Sequence, residues 1–306
     1  MKKVLVTGGA GFIASHIVDA YVERGYEVTV VDDLSSGRIE NVNKKAELLV
    51  ADLRDPATID KLRGRGFDLV NHHAAQIDVR VSVADPAADA ELNIVATLRL
   101  FRAMIDEGVK KIIFASSGGA AYGEPKYAPQ DEQHPVAPLS PYGCAKLAID
   151  QYLYFFRHVH NIRATSLRYG NVYGPRQRKD GEAGVVAIFA GALLDGQQAR
   201  INGTGEQTRD YVFVADVVRA NMAASELDTD GIFNVGTGVE VSVNDLYAAI
   251  RHTLGINAPA EHAPAKAGEQ MRSVLDGSKL RKLAGLPEPV ALDEGLRQTV
   301  EWLRAG

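Results

Sequence analysis

The stretch KVLVTGGAGFIASHIVDAYVERGYEVTVVDD, residues 3–33, decides how the chain folds. Residues 3–7 are a short apolar run, a glycine-rich turn follows, and apolar residues then recur at helical spacing up to Gly25. Residues 27–33 read as a second strand closing on two aspartates, so the unit is βαβ with a right-handed crossover. Gly8 and Gly11 allow a tight turn and let backbone N–H groups approach a pyrophosphate at the positive end of the helix dipole. Ala14 stands third in this fingerprint, where the side chain governs only how closely helix and strand pack. Asp32, ending the second strand, can bind both ribose hydroxyls and repels a 2′-phosphate, so NAD is expected rather than NADP. Asp33 beside it reads either as a second ligand or as a solvated turn residue.

The pattern continues outward. Residues 47–53, 67–76 and 110–117 are strand-like, with helical segments between them, which implies a parallel sheet covered on both faces. Ligands of such sheets lie beyond the carboxyl ends of the strands, where Asp52, the turn HHAAQ (72–76) and Ser116-Ser117 emerge. His72 and His73 have no companions at metal-ligand spacing and read as turn or packing residues. No metal is expected.

Composition narrows the function classes. The 306 residues carry 34 Lys and Arg against 39 Asp and Glu, a formal charge of -5, which argues against a nucleic-acid footprint and leaves small anions as the expected partners. The 46% hydrophobic content suffices for a packed core, and no uncharged run is long enough to span a bilayer. Cys144 is the only cysteine, and the opening MKKVLVTGG lacks the apolar run of a signal peptide. A cytoplasmic location is expected.

The segment SPYGCAKLAIDQYLYFF (140–156) opens with a Ser-Pro helix-entry signal and places Tyr142 and Lys146 four apart, on one helical face. A free tyrosine has a pKa of about 10, so a base near pH 7 needs it lowered by roughly 3 units, about 4 kcal/mol. One cation about 4 Å away supplies roughly that much at an effective dielectric near 20. Lys146, helped by an oxidised nicotinamide, is a sufficient activator. A buried tyrosine with a surface lysine is the plainer alternative for such spacing.

Together TGGAGFIASH, DLRDP, HHAAQ, SSGGAAYG, SPYGCAK, SLRYGNVYGPRQ, GEAGVVAIF, GEQTRDYVFV and FNVGTG resemble, in order, the motifs of the extended short-chain dehydrogenase/reductase family, and within it the UDP-glucose 4-epimerases. The resemblance spans residues 3 to about 300. It implies a Rossmann-type doubly wound parallel α/β sheet, residues 1–170 and 211–236, that binds NAD, and a smaller C-terminal α/β domain, residues 171–210 and 237–306, that binds the sugar nucleotide. Tyr142 and Lys146 would be catalytic. Phe12 and Ile13 would follow the pyrophosphate turn, Asp52 and Leu53 face the adenine, and Ala74, Ala75, Gln76 and Asn93 line the nicotinamide side, with Asp33, Ser116 and Tyr169 also at the cofactor. On the substrate side the resemblance implies Asn171, Gly184, Val185 and Arg209, the last for the diphosphate, with an ion pair to Asp210 as the alternative for Arg209. A second diphosphate cation falls on Lys266 or on Arg272. Ser273 stands where relatives block N-acetylated sugars, so its small side chain implies that UDP-GlcNAc and UDP-GalNAc are admitted. The helices near 86–106 and 143–160 correspond to those that pair relatives into homodimers.

One motif departs from the family. In SSGGAAYG the usual catalytic Ser or Thr falls on Gly118, which leaves Ser117 to reach the sugar's O4, or Tyr142 to work alone or through water. The acidic pair with which 4,6-dehydratases eliminate water is replaced by Gly119-Ala120. Epimerisation at C4, which needs no net redox change, is the expected reaction, interconverting UDP-glucose and UDP-galactose. A UDP-glucuronate 4-epimerase, another NAD-dependent sugar-nucleotide oxidoreductase and a catalytically silent NAD-binding sensor are the alternatives.

Overall fold

A computed structural model of the chain describes residues 1–179, 184–228, 230–265 and 270–305. The first apolar run becomes strand β1 (Lys3–Thr7), whose Val4, Leu5 and Val6 have no exposed surface. The glycine turn leads into helix α1 (Phe12–Glu23), which buries Ile17, Val18 and Tyr21 against the sheet. Then come β2 (Glu27–Asp32), β3 (Glu47–Val50), α2 (Pro56–Leu62), β4 (Leu69–His72), β5 (Lys111–Ser117) and β6 (Arg163–Tyr169). With a last strand Gly231–Val235 they form one seven-stranded sheet in the order 231–235, β6, β5, β4, β1, β2, β3. β1 pairs in parallel with both β2 and β4, β2 with β3, and β4 with β5. The order reverses at β1, so the loops after β1 and β4 diverge and open a crevice at their carboxyl ends.

The chain divides into two compact units. The first comprises residues 1–121, 138–168 and 218–233. Its core includes Leu5, Val70, Leu100, Phe101, Met104, Ile112, Phe114 and Phe156. The rings of Phe114 and Phe156 each meet Phe101 edge to face, at 6.4 and 6.5 Å between centroids. Between β4 and β5 the chain runs through helices Val79–Ala84 and Pro86–Ala90, a π-helical turn Glu91–Ala96 and helix Thr97–Asp106. The sequence reading gives one helix near 86–106; the π turn within it is a structural finding.

Helix Pro141–His160 realises the Ser-Pro signal. The Ser140 hydroxyl accepts from Gly143 N–H at 3.1 Å, Pro141 occupies the first turn, and Asn161 closes the helix in the left-handed conformation. Arg157, His158 and His160 lie in its last turn, the favourable end of the dipole for cations. Gly143 is required by its close approach to a neighbour: a Cβ there would lie 2.4 Å from the Ala120 carbonyl oxygen. Ala120 belongs to a short helix Gly118–Tyr122, which begins where β5 ends.

The second unit comprises residues 122–137, 169–217 and 234–306. Residues 122–137, 169–170, 211–217 and 234–236, which the sequence reading assigns to the nucleotide domain, group here instead. Physical ties accompany the two longest segments: Gln130 bridges to Leu275 and the Tyr122 hydroxyl donates to Asn234, while strand Tyr211–Phe213 pairs in parallel with Asn171–Tyr173. Helices Val185–Leu194, Val243–Leu254 and Leu292–Ala305 supply the unit's apolar packing, with Phe189 edge to face on Tyr247 at 5.3 Å. Asp210 organises the polar part. It has no exposed surface, and its carboxylate accepts from Thr237 N–H and hydroxyl, from Gly238 N–H and from Leu275 N–H at 2.6 to 3.1 Å. Asp210→Ala leaves the buried Leu275 N–H and the half-buried Thr237 donors unmatched, and should lower stability by about 2–4 kcal/mol, read as a fall in Tm with far-UV CD unchanged at room temperature. An unchanged Tm would contradict this account of the unit.

Candidate functional site

The carboxyl ends of β1, β2, β4 and β5 gather the first unit's candidate residues. Gly8 adopts φ 69°, its N–H donates to Val31 O at 2.8 Å, and a Cβ on it would lie 2.7 Å from Ala74 N. The turn therefore has space for backbone only. Gly11 caps α1 without a side-chain hydrogen bond, and no acid stands in the first turn, so the N–H groups near Phe12 and Ile13 keep their positive potential for an anion. Ala14 is buried against the sheet, consistent with its packing role.

Asp32 is buried and fixed, with Ala10 N–H donating to one carboxylate oxygen and Leu34 N–H to the other, each at 2.9 Å. Burial raises its pKa, and those two bonds work against the rise. Each oxygen retains a lone pair for a further donor. Asp33 is exposed and folds back on Ser35, accepting from its N–H and hydroxyl. Asp52 forms a forked pair with Arg54, which holds its carboxyl below the usual range. Leu53 is 4% exposed and its side chain lies in the hydrophobic core.

The turn after β4 hangs from Thr7. Its hydroxyl accepts from His73 N–H and Ala74 N–H at 3.2 Å and lies 2.7 Å from His72 Nδ1. With those two bonds accepted, the hydroxyl proton goes to His72 Nδ1, so His72 carries its proton on Nε2 and donates to Thr97 Oγ1 at 3.0 Å. The His72 ring stacks on Phe114. Burial, then the nearby Lys146 charge, pushes His72 well below its ordinary pKa, and the same causes bring His73 down to about 3. Both are neutral at pH 7. Beyond Ala75, Gln76 is clamped by Asn93 in the π turn: Gln76 N–H donates to Asn93 Oδ1 at 3.0 Å, and Asn93 Nδ2 donates to Gln76 O at 2.9 Å.

At the end of β5 the two serines differ. Ser116 Oγ is buried with no hydrogen-bond partner among the described residues, whereas Ser117 Oγ accepts from Ala120 N–H at 3.4 Å and so caps the short helix. Tyr142 is half-buried and Lys146 is 4% exposed. The Lys146 ammonium lies 5.6 Å from the Tyr142 ring centroid and 4.7 Å from that of Phe114. Burial brings Lys146 down to about 8, opposed by Asp150 and then Asp89, so it is an ammonium at pH 7 and loses its charge as pH passes 8. Asp150, one turn on, is locked by a forked bond from Arg168 at 2.8 and 3.0 Å and by the Ser166 hydroxyl.

In the second unit, Tyr169 is buried at the end of β6 and Asn171 is exposed at the start of its strand. Gly184 caps helix Val185–Leu194 without a side-chain bond, and Val185 is half-buried. Arg209 Nη1 donates to Thr208 O at 2.8 Å, while the Asp210 carboxylate takes its bonds from Thr237, Gly238 and Leu275. Arg272 is exposed and forked onto Glu240 at 2.9 Å. Ser273 is 2% exposed. Lys266 lies outside the described residues.

The sequence reading passed over Thr7, Asp89 and the Asp150–Arg168 pair. Asp89 and Asn93, and likewise Lys146 and Asp150, stand four apart, a spacing that signals a shared helical face. Among the described residues, no helix is long and apolar enough to cross a membrane.

Residues 4–236 match the NAD dependent epimerase/dehydratase family. The chain is 44% identical over 308 residues to the UDP-glucose 4-epimerase of Mycolicibacterium smegmatis, covering 99% of this chain and 98% of that one. Among solved structures it is similar to a UDP-glucose 4-epimerase with UDP-glucose from Thermotoga maritima, at 45% identity and a TM-score of 0.96, covering 99% of both chains. A Thermus thermophilus UDP-glucose 4-epimerase in complex with NAD is 42% identical, with a TM-score of 0.93 and 99% of both chains covered. On these matches and on its glycine turn, Asp32 and Tyr142-Lys146 pair, the chain belongs to the NAD dependent epimerase/dehydratase family.

Proposed function

We propose that the protein is an NAD-dependent UDP-hexose 4-epimerase interconverting UDP-glucose and UDP-galactose. The observation that carries the reading is Lys146, a buried ammonium over the ring of Tyr142, with the short helix after β5 supplying only Gly118, Gly119 and Ala120, which bring no acid or base. Such a site can move one proton at one hydroxyl and has nothing there with which to eliminate water. The relatives named above are UDP-glucose 4-epimerases at similar length, which supports the same substrate pair here.

The cofactor fits this chain's residues. Gly8 leaves a cradle that a Cβ would fill, the α1 N-terminus is uncapped, and Asp32 presents a fixed carboxylate at the end of β2. When bound, NAD supplies reversible oxidation at the sugar's C4. Tyr142, as phenolate, takes the O4 proton while the ketone forms and returns it when the alcohol is restored. The Lys146 ammonium, 5.6 Å from the centre of the Tyr142 ring, favours the phenolate over the neutral phenol. Ser117 and Ser116 are the serine hydroxyls at the end of β5 that can serve O4 or the nicotinamide side. Arg209 and Asn171 serve the diphosphate and sugar, and the small, buried Ser273 leaves the reading open to N-acetylated UDP-hexoses.

A homodimer through the helices near 86–106 and 143–160 accords with Tyr152, Tyr154, Phe155 and Val159, exposed apolar residues on the second of them. The exposed free Cys144 suits a reducing cytoplasm.

Purified protein given UDP-galactose and no added cofactor should form UDP-glucose; absence of product with NAD shown to be bound would sink the proposal. Tyr142→Phe should cut kcat by at least about 1,000-fold with NAD still bound, and near-normal turnover would remove the tyrosine from its role. Ser117→Ala should cost about tenfold or less, since Tyr142 can act without it; a loss equal to that of Tyr142→Phe would make the hydroxyl indispensable. Gly8→Ala forces a Cβ onto Ala74 and should weaken NAD retention on gel filtration by at least about tenfold, so a full NAD complement would contradict the cradle.

A further inference from the structure

Asp89 is a carboxylate buried at 3% exposure, near enough to Lys146 to act on its charge. One oxygen accepts from two neutral amides, Gln76 Nε2 at 3.0 Å and Asn93 Nδ2 at 2.9 Å. The other oxygen is buried and has no hydrogen-bond partner among the described residues. Burying a carboxylate without a cation in contact is costly, so a function of the charge is the natural place to look for compensation. Helix Pro86–Ala90, which carries Asp89, and the π turn after it both pack on Pro141–His160, which carries Tyr142 and Lys146.

We propose that Asp89 is a positioning residue of the reactive pair, acting in two ways: it orients the Asn93 amide that clamps Gln76, and its buried negative charge holds Lys146 as the ammonium. The first role follows from geometry. Asn93 must offer its Oδ1 to Gln76 N–H and its Nδ2 to Gln76 O, and an acceptor at Asp89 forbids the flipped amide. The second follows from the charges around Lys146. On its own helix stand Tyr142 and Asp150, and from β4 and its turn come His72 and His73, both neutral at pH 7. Asp150 is compensated by Arg168 in direct contact. Asp89 has no contacting cation among the described residues, and its charge adds to that of Asp150, the larger of the two, in favouring the ammonium at Lys146, while Lys146 in turn favours the charged form of Asp89.

The inference rests on the epimerase reading, and its test does not depend on turnover. Lysine side chains of the NAD-loaded protein are isotopically labelled and titrated by NMR, with the Lys146 signal assigned by its loss in Lys146→Met. Wild-type Lys146 should titrate at about 8. Asp89→Asn removes the charge at constant shape and should lower that midpoint by roughly one pH unit. In the kinetics, kcat should fall about tenfold with the KM for UDP-galactose within about twofold, and the alkaline limb of the kcat profile should move to lower pH with the lysine. An unchanged lysine midpoint in a folded Asp89→Asn protein overturns the proposal. If that variant does not fold, Asp89→Ser, which admits water beside the two amides, is titrated instead, and failure of both to fold gives Asp89 a structural role alone, which equally overturns it. An inactive wild-type protein with the shifted lysine would refute the epimerase reading and leave the electrostatic role standing.

Discussion

A positive charge kept out of water beside a phenol is the constraint on which the rest of this structure turns. An unpaired ammonium in an apolar setting tends to give up its proton, and Lys146 is brought down to about 8 by burial, close to the edge of usefulness at neutral pH. Three features hold it above that edge. The Phe114 ring offers its face to the ammonium, Asp150 and Asp89 supply negative charge, and the helix carrying the pair is fixed at both ends. Gly143 lets that helix close onto Ala120 near the end of β5.

The sheet explains how groups distant in sequence meet. Every pairing from β3 to β5 is parallel, so Thr7, Asp32, His72 and Ser117 emerge at the same edge. Thr7 ties the turn after β4 to β1 through its hydroxyl, and the absence of a side chain at Gly8 lets that turn sit against the glycine loop. Cofactor cradle and reactive pair are thereby one packed object. In the second unit Asp210 does similar work for residues near Arg209, binding strand, turn and the 275 segment with one carboxylate.

Much of this was legible in the sequence because its signals are local. The glycine turn, the period of α1, the aspartate ending β2, the Ser-Pro entry and the Tyr142-Lys146 spacing each act within a few residues, and the corresponding elements form where expected. What the sequence hid is nonlocal. Nothing near Asp89 announces that it will share a buried network with Gln76, and a π turn has the composition of an ordinary helix. The grouping of residues 122–137 with the second unit depends on Gln130 meeting Leu275, far along the chain. Ser116 and Ser117 look alike in the sequence, and only the structure separates a capping hydroxyl from a buried one without a partner among the described residues.

The account's central claim, that Lys146 prepares Tyr142 as a base, is tested most directly by titrating that phenol in the NAD-loaded protein. The ultraviolet difference spectrum between wild type and Tyr142→Phe isolates its ionisation, and repeating it in a Lys146→Met background removes the cation. The account predicts a phenolate forming at least about two pH units below the ordinary tyrosine value of about 10, and a return toward that value without the lysine. Ionisation at about 10 or above in the protein with Lys146 intact would contradict it.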